Sequence, residues 1–472
     1  MEWSEDASEF VGDRDVFTDA SVSSDEDKQG AGMSQMEAMM SVMTVIIGSG
    51  IMALPLVPLE GGYVLSTLGM LLSAWISLKS GLAMHKAYMA SAGGGKSDRL
   101  EAYEQYMSEA AGKPGEWVTR VFMCTLFTGV LAAYVMLMSS ELVHLFDNKL
   151  GEATWQFILI ALLCVLSLIR DISVVAKATP ISTAAAVASC ILICFKSTMD
   201  ARVWQDWPKE YRDKIHQKWP ESFMALGTMM AVLFGSFAAV PNVPSIIAVM
   251  RDPRQFEGAY KAALAICLSL YFCIMLLGHY SYGTFIQENI VLSMQKSPAN
   301  AEEAFGGVPY SRWTGDSSEM FGNIMGWLVV TNLIISCPLL MQALFSSYMS
   351  LSPERCRRGS NTNRMMRILA LAAVTVIVLI VPSFMNCFGL FMAICTPVIC
   401  VILPLYSSVK IRRAFNAPEP SLSTKVQYGV MIAVAVFVLV VGVGNSAGDL
   451  FGSDDAHNKT TTLSRKFLPT DR

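Results

Sequence analysis

The sequence predicts an all-α polytopic membrane protein of about eleven transmembrane helices. Three observations carry this. Hydrophobic residues fill 53% of the 472 positions and charged residues only 16%, against about 25% charged in soluble proteins. Mean hydropathy is +0.44, and a water-soluble globule of that composition would lack the polar surface to cover its core. Apolar runs long enough to cross a bilayer, about 20 residues each, recur along most of the chain.

Taken in order, residues 1–35 are acidic and rich in Ser and Gly, with no basic segment ahead of a short apolar stretch. They read as a disordered, solvated cytoplasmic tail and not as a signal peptide. The membrane domain follows over 36–446. Its windows fall at 36–59, 62–90, 117–146, 154–170, 179–200, 222–249, 258–285, 319–350, 365–384, 386–410 and 425–446. The window 154–170 is short for a span, and Pro397 and Pro404 interrupt 386–410. A polar tail occupies 447–472.

Orientation follows from where Lys and Arg fall. With a cytoplasmic N-terminus, the inner connections hold clusters such as Arg251 with Arg254, Arg355 with Arg357 and Arg358, and Lys410 with Arg412 and Arg413. The connection 201–220 disagrees, although Asp206, Glu210 and Asp213 offset part of its basic charge. The majority places the N-terminus inside and the C-terminal tail outside, where the sequon Asn458-Lys459-Thr460 also belongs.

Several function classes drop out. The net charge is -4 and no basic tract is dense enough for nucleic acid. Of the eleven cysteines, nearly all sit in apolar runs without metal-ligand spacing, so they read as small hydrophobes and no metal site is expected. No catalytic or nucleotide-binding motif appears in its required context, so neither an enzyme nor an organic cofactor is expected.

Two windows carry helix breakers at mid-membrane. The first reads Thr44-Val45-Ile46-Ile47-Gly48-Ser49-Gly50-Ile51-Met52-Ala53-Leu54-Pro55, and the sixth reads Phe234-Gly235-Ser236-Phe237-Ala238-Ala239-Val240-Pro241. Glycine and proline remove helix stability and backbone hydrogen bonds. In hydrocarbon such breaks survive only when buried in protein or lining a wet cavity. Windows one and six open two successive groups of five, and interrupted helices at corresponding positions point to a transporter site between inverted repeats. A break offers N–H groups to an anion and C=O groups to an ammonium or small cation.

These residues resemble the amino acid/auxin permease family. The stretch Ile46–Pro55 with Gly61-Gly62 is similar to the family's first helix. Phe234–Ala238 with Pro241, Pro244, Met250-Arg251-Asp252-Pro253 and Phe256 is similar to its sixth. Gly278-His279-Tyr280-Ser281-Tyr282-Gly283 with Asn289–Leu292 resembles the end of its seventh helix, and Pro382 to Pro404 its tenth. The likeness spans about 36–446 with four segments in order. It implies a leucine-transporter-like fold, with two inverted five-helix repeats plus an eleventh helix. It also implies secondary active transport of amino acids driven by H+ or Na+; the sequence leaves open whether the membrane is plasma, vacuolar or lysosomal.

Carried over residue by residue, the resemblance implies that Gly48, Ser49 and Gly50 meet the substrate carboxylate and that Phe234, Gly235, Ser236 and Phe237 surround its amino group and side chain. Thr44 stands where sodium-coupled members place Asn, and Ser336 is nearest to their helix-eight Thr. Both retain a hydroxyl, so a sodium site is weakened, and proton coupling is favoured. Asn332, one turn from Ser336, and His279 are further coupling candidates, each weighed against plain helix packing. Glu141 and His144, a turn apart near the outer end of the third window, could relay protons, but they are expected instead as a solvated interfacial pair.

The expected mechanism is alternating access. A zwitterion binds between windows one and six, with N–H groups of Ser49–Ile51 on its carboxylate and carbonyls around Thr44–Ile46 and Phe234–Phe237 on its ammonium. Phe237, Ser236 and Tyr134 face it. No acidic residue in the breaks awaits a cationic side chain, which favours small or medium neutral amino acids. A sensor without flux and a channel are the rival classes.

Overall fold

The computed structural model describes residues 32–48, 50–93, 102–167, 172–201, 216–220, 222–286, 289–295, 316–350, 361–381 and 384–451. The expected tail 1–35 falls outside them up to residue 31, as do the sequon at Asn458 and most of 201–220. Among the described residues every regular element is helical, apart from one isolated bridge between Met33 and Met250.

Helix α1, Gln35–Ile46, starts at an N-cap Ser34 that forms a capping box with Glu37. A break at Ile47–Gly48 precedes α2, Gly50–Ala53, and a 3-10 turn over Leu54–Leu56 begun by Pro55. Helix α3, Val57–Gly93, bends at Gly62, whose φ is 65°. A Cβ there would lie 2.5 Å from the Lys218 carbonyl oxygen, so only glycine admits both the turn and the neighbouring strand of backbone. This bend separates the first and second windows.

Helix α4, Tyr103–Leu145, begins well before the predicted 117. Its first segment runs to Gly112, where φ is 66°, and the chain re-enters helix around Pro114. That segment is polar enough to escape a hydropathy window, yet it buries Tyr103 and Tyr106, and the Tyr103 hydroxyl donates to the Ile399 carbonyl.

Helices α5, Glu152–Leu166, and α6, Ile172–Asp200, complete the first half. The sixth window becomes α7, Ala225–Ser236, a 3-10 turn Val240–Asn242, and α8, Val243–Ala248. Then follow α9, Phe256–Tyr282, the short α10, Ile290–Gln295, α11, Asp316–Ser350, and α12, Asn361–Ile380. The tenth window is a single pass: α13, Phe384–Thr396, widens into a π turn at Pro397–Ile402 and continues as α14, Leu403–Ala414. Pro397 and Pro404 each lack the N–H that a helical carbonyl four residues earlier would accept, and a wider turn is a common response to such a gap. The chain closes with α15, Leu422–Phe437, a second π turn, and α16, Val443–Phe451.

Among the described residues eight helical stretches are long and apolar enough to cross a membrane. The broken α1, the short α5 and α12 account for the other three predicted windows.

Two packing groups organise the bundle. Helices α1, α2, α3, α7 and α9 pack on one another, and α4, α5, α11 and α12 form the second group. Large apolar side chains such as Ile191, Phe195, Ile368, Ile380 and Val440 are exposed on the perimeter. In water that surface would drive aggregation, whereas lipid tails solvate it. Where two helices meet, small residues let backbones approach. A Cβ on Gly227 of α7 would lie 2.4 Å from the Gly442 nitrogen.

A buried ion pair within α6 is tied to α9 by a tyrosine. Lys196 Nζ lies 2.6 Å from Asp200 Oδ1, and the Tyr282 hydroxyl donates to Asp200 Oδ2 at 2.5 Å. At the end where α1 begins, Met33 N–H donates to the Val249 carbonyl at 2.8 Å and Arg251 Nε to the Gly32 carbonyl at 2.6 Å. These bonds fasten the start of α1 to the end of α8.

Candidate functional site

The two backbone breaks meet at the centre of the bundle. In the first, Gly48 N–H turns onto the Ile46 carbonyl at 2.9 Å and Ile51 N–H onto the Gly48 carbonyl at 3.3 Å. Ser49, expected in this site, lies outside the described residues. In the second, Phe237 N–H closes on the Phe234 carbonyl at 3.2 Å and Ala238 N–H on that of Gly235 at 3.2 Å.

The breaks touch each other at Gly50. A Cβ there would lie 2.9 Å from Ser236 Oγ and 3.2 Å from Ser236 Cα. The neighbouring glycines are crowded as well: a Cβ on Gly48 would lie 3.2 Å from the Tyr134 hydroxyl of α4, and one on Gly235 would lie 2.5 Å from Met392 Cγ of α13. Ile51, Phe234 and Phe237 are buried beside them. The structure therefore brings Gly48, Gly50, Gly235, Ser236 and Tyr134 together.

Hydroxyl groups that sequence reasoning did not single out hold both breaks. Tyr271 of α9 donates to the Ile46 carbonyl at 2.6 Å, which with Gly48 N–H occupies both lone pairs of that oxygen. Ser77 of α3 donates to the Phe237 carbonyl at 2.9 Å, and the Tyr260 hydroxyl lies 3.2 Å from Ser77 Oγ. The Tyr271 ring also packs on Phe237, centroids 5.3 Å apart. Each link joins residues far apart in the chain, so no local pattern announces it. The one sequence hint is that Tyr260 and Tyr271 sit about three helical turns apart, hence on one face of α9.

The coupling candidates do not converge. Thr44 Oγ1 donates to the Met40 carbonyl of its own helix at 2.9 Å. Asn332 and Ser336 gather instead around Ser182 of α6, whose hydroxyl lies 2.7 Å from Asn332 Oδ1 and 3.0 Å from Ser336 Oγ. His279 is fully buried behind the 3-10 turn that follows α2, with Nδ1 donating to the Pro55 carbonyl at 3.2 Å. Its ring meets that of Tyr63 edge-on at 4.9 Å.

One expectation is corrected. Glu141 is not solvated: it is 0% exposed, and neither carboxyl oxygen has a hydrogen-bond partner. Helix α4 is enclosed by α5, α11 and α13, so a position near its end is interior and not interfacial.

A family model described as transmembrane amino acid transporter protein matches residues 31–447. Among curated proteins, the amino acid transporter AVT6A of Arabidopsis thaliana is 26% identical over 366 residues, covering 72% of this chain and 75% of that protein. The amino acid transporter AVT1J of the same plant is 19% identical over 227 residues, and the match spans only 48% of either chain. Among solved structures, the crystal structure of MhsT in complex with L-phenylalanine is similar with a TM-score of 0.53 at 11% identity, covering 86% of this chain and 98% of that one. The helical bundle thus has the leucine-transporter-like fold.

Proposed function

The chain belongs to the transmembrane amino acid transporter protein family, and from that premise we propose that it is a secondary carrier of small or medium neutral amino acids working by alternating access. The contact between the two breaks, Gly50 against Ser236, is the observation that carries the proposal. It puts the N–H groups opening α2 beside the carbonyls closing α7, the two partial charges a zwitterion needs.

In this reading the N–H groups of Ser49–Ile51 hold the carboxylate, that of Ile51 by exchanging its long 3.3 Å bond to the Gly48 carbonyl for the substrate. The ammonium falls to the carbonyls of Thr44–Ile46 and Phe234–Phe237 that are not already occupied, while Tyr271 and Ser77 keep the rims of both breaks fixed. Tyr134, Ser236 and Phe237 surround the side chain, and none of them is charged. Helices α1, α2, α3, α7, α8 and α9 then rock against α4, α5, α11 and α12, the division that the packing supports. The basic connections favour an N-terminus in the cytoplasm, and proton coupling is favoured over sodium because Thr44 stands where sodium-coupled members of the family place Asn.

The test is Gly48→Leu combined with Gly50→Leu in reconstituted vesicles. The double variant is expected to insert normally and to lose amino-acid counterflow. Unchanged counterflow would place the substrate elsewhere.

A further inference from the structure

Beyond the substrate site, one ionisable group in the membrane core is left unused. Glu141 lies four residues from the end of α4, fully buried, with both carboxyl oxygens unpartnered. It is seven residues from Tyr134, two helical turns along the same face and about 10 Å from the level of the breaks. Burying an ionised carboxylate without donors is among the costliest arrangements a protein makes, so the enclosure suits the neutral acid.

One wall of the enclosure is the short helix α10. Asn289, 2% exposed, caps α10 by accepting from Leu292 N–H at 3.0 Å. Its side chain is a polar neighbour of the Glu141 carboxyl and is placed to hydrogen-bond with it, but it stands outside normal hydrogen-bond geometry here. On its other flank α10 packs directly on α2, and both α10 and the turn after α2 crowd Gly278 of α9, where a Cβ would lie 3.4 Å from Ile290 Cδ1 and 2.9 Å from Pro55 Cβ. A swing of α2 therefore presses on the helix whose cap residue, Asn289, stands beside Glu141.

The surrounding ionisable groups are few. His144 stands one turn on along α4, and Glu152 of α5 accepts from Ser139 at 3.4 Å. From Met320 to Tyr348, α11 carries no charged side chain, and neither does α10. No described cation is placed to neutralise Glu141.

We infer that Glu141 is a proton-binding site that licenses closure of α10: the helix seats only over the neutral acid and lifts when the carboxylate forms. This deepens the transport reading and rests on it for its role in a cycle, but closure itself is measurable without substrate. Ser293→Cys puts a thiol on α10, where the serine is 8% exposed. Labelling by a membrane-impermeant maleimide is followed from about pH 5 to about pH 9, a span that covers carboxyl titration in apolar surroundings. A small water-soluble thiol fluor in the same buffers and the protein without the added cysteine correct for reagent chemistry.

Labelling is expected to rise with pH beyond the reagent's own increase, and Glu141→Gln, neutral at every pH, is expected to lose that dependence while keeping amino-acid counterflow. The same pH dependence in Glu141→Gln, or none in the parent, would overturn the inference. So would loss of counterflow by a folded Glu141→Gln protein. Absent counterflow in the parent with an intact pH-dependent lid would instead fault the substrate reading alone.

Discussion

The Tyr271 hydroxyl donates to the Ile46 carbonyl at 2.6 Å, so the helix end exposed by the first break is held by a side chain from a helix of the same packing group. The break is thus carried by α9 when that group moves. A buried hydrogen bond contributes about 1 kcal/mol, and an orphaned buried carbonyl costs about 1–3 kcal/mol. Tyr271→Phe keeps the ring on Phe237 and removes only the bond. Counterflow is expected to fall by roughly fivefold to tenfold, the equivalent of about 1–1.4 kcal/mol, with insertion unchanged. A rate equal to the parent's would show that the bond does not hold the site.

Ser77 and Tyr260 act on the second break as one unit. Ser77→Ala and Tyr260→Phe each disturb the bond to the Phe237 carbonyl, so their effects on thermal stability in detergent are expected to be less than additive, by about 0.5–1 kcal/mol or more. Strict additivity would mean that the two hydroxyls serve separate purposes.

Gly50→Ala is expected to abolish most transport, because the new methyl meets Ser236 Oγ at 2.9 Å. Adding Ser236→Gly removes the hydroxyl but not the Cα, 3.2 Å away, and so restores part of the activity. An active Gly50→Ala single variant would mean that the breaks are not in contact during transport.

Removing Lys196 from the buried Lys196–Asp200 pair of α6 leaves the Asp200 charge without its counter-ion, with the Tyr282 hydroxyl still bonded to it. Lys196→Met is expected to cost about 3–5 kcal/mol, read as a lowered melting temperature. Adding Asp200→Leu should recover much of that loss. A double variant less stable than the single would contradict this account of the pair.

Much of this architecture is legible in the sequence, and the exceptions share a cause. The spans follow from apolar length, and both breaks from Gly48, Gly50 and Gly235 standing where a helix should be continuous. The start of α4 was hidden because Tyr103 and Tyr106 are buried within a stretch too polar for a hydropathy window. Tyr271 and Ser77 carry no local signal, because a hydroxyl facing a break and a hydroxyl facing lipid look alike until the helices are assembled. Glu141 shows the same limit: near a helix end, only packing distinguishes an interior carboxylate from a solvated one.

The most direct test of the central claim is amino-acid counterflow by the purified protein in vesicles loaded with unlabelled amino acids, with pH and sodium gradients imposed separately. Saturable uptake of a labelled small or medium neutral amino acid, concentrated by the pH gradient and lost in Gly48→Leu with Gly50→Leu, is the predicted result. No exchange of any amino acid by folded protein would contradict it.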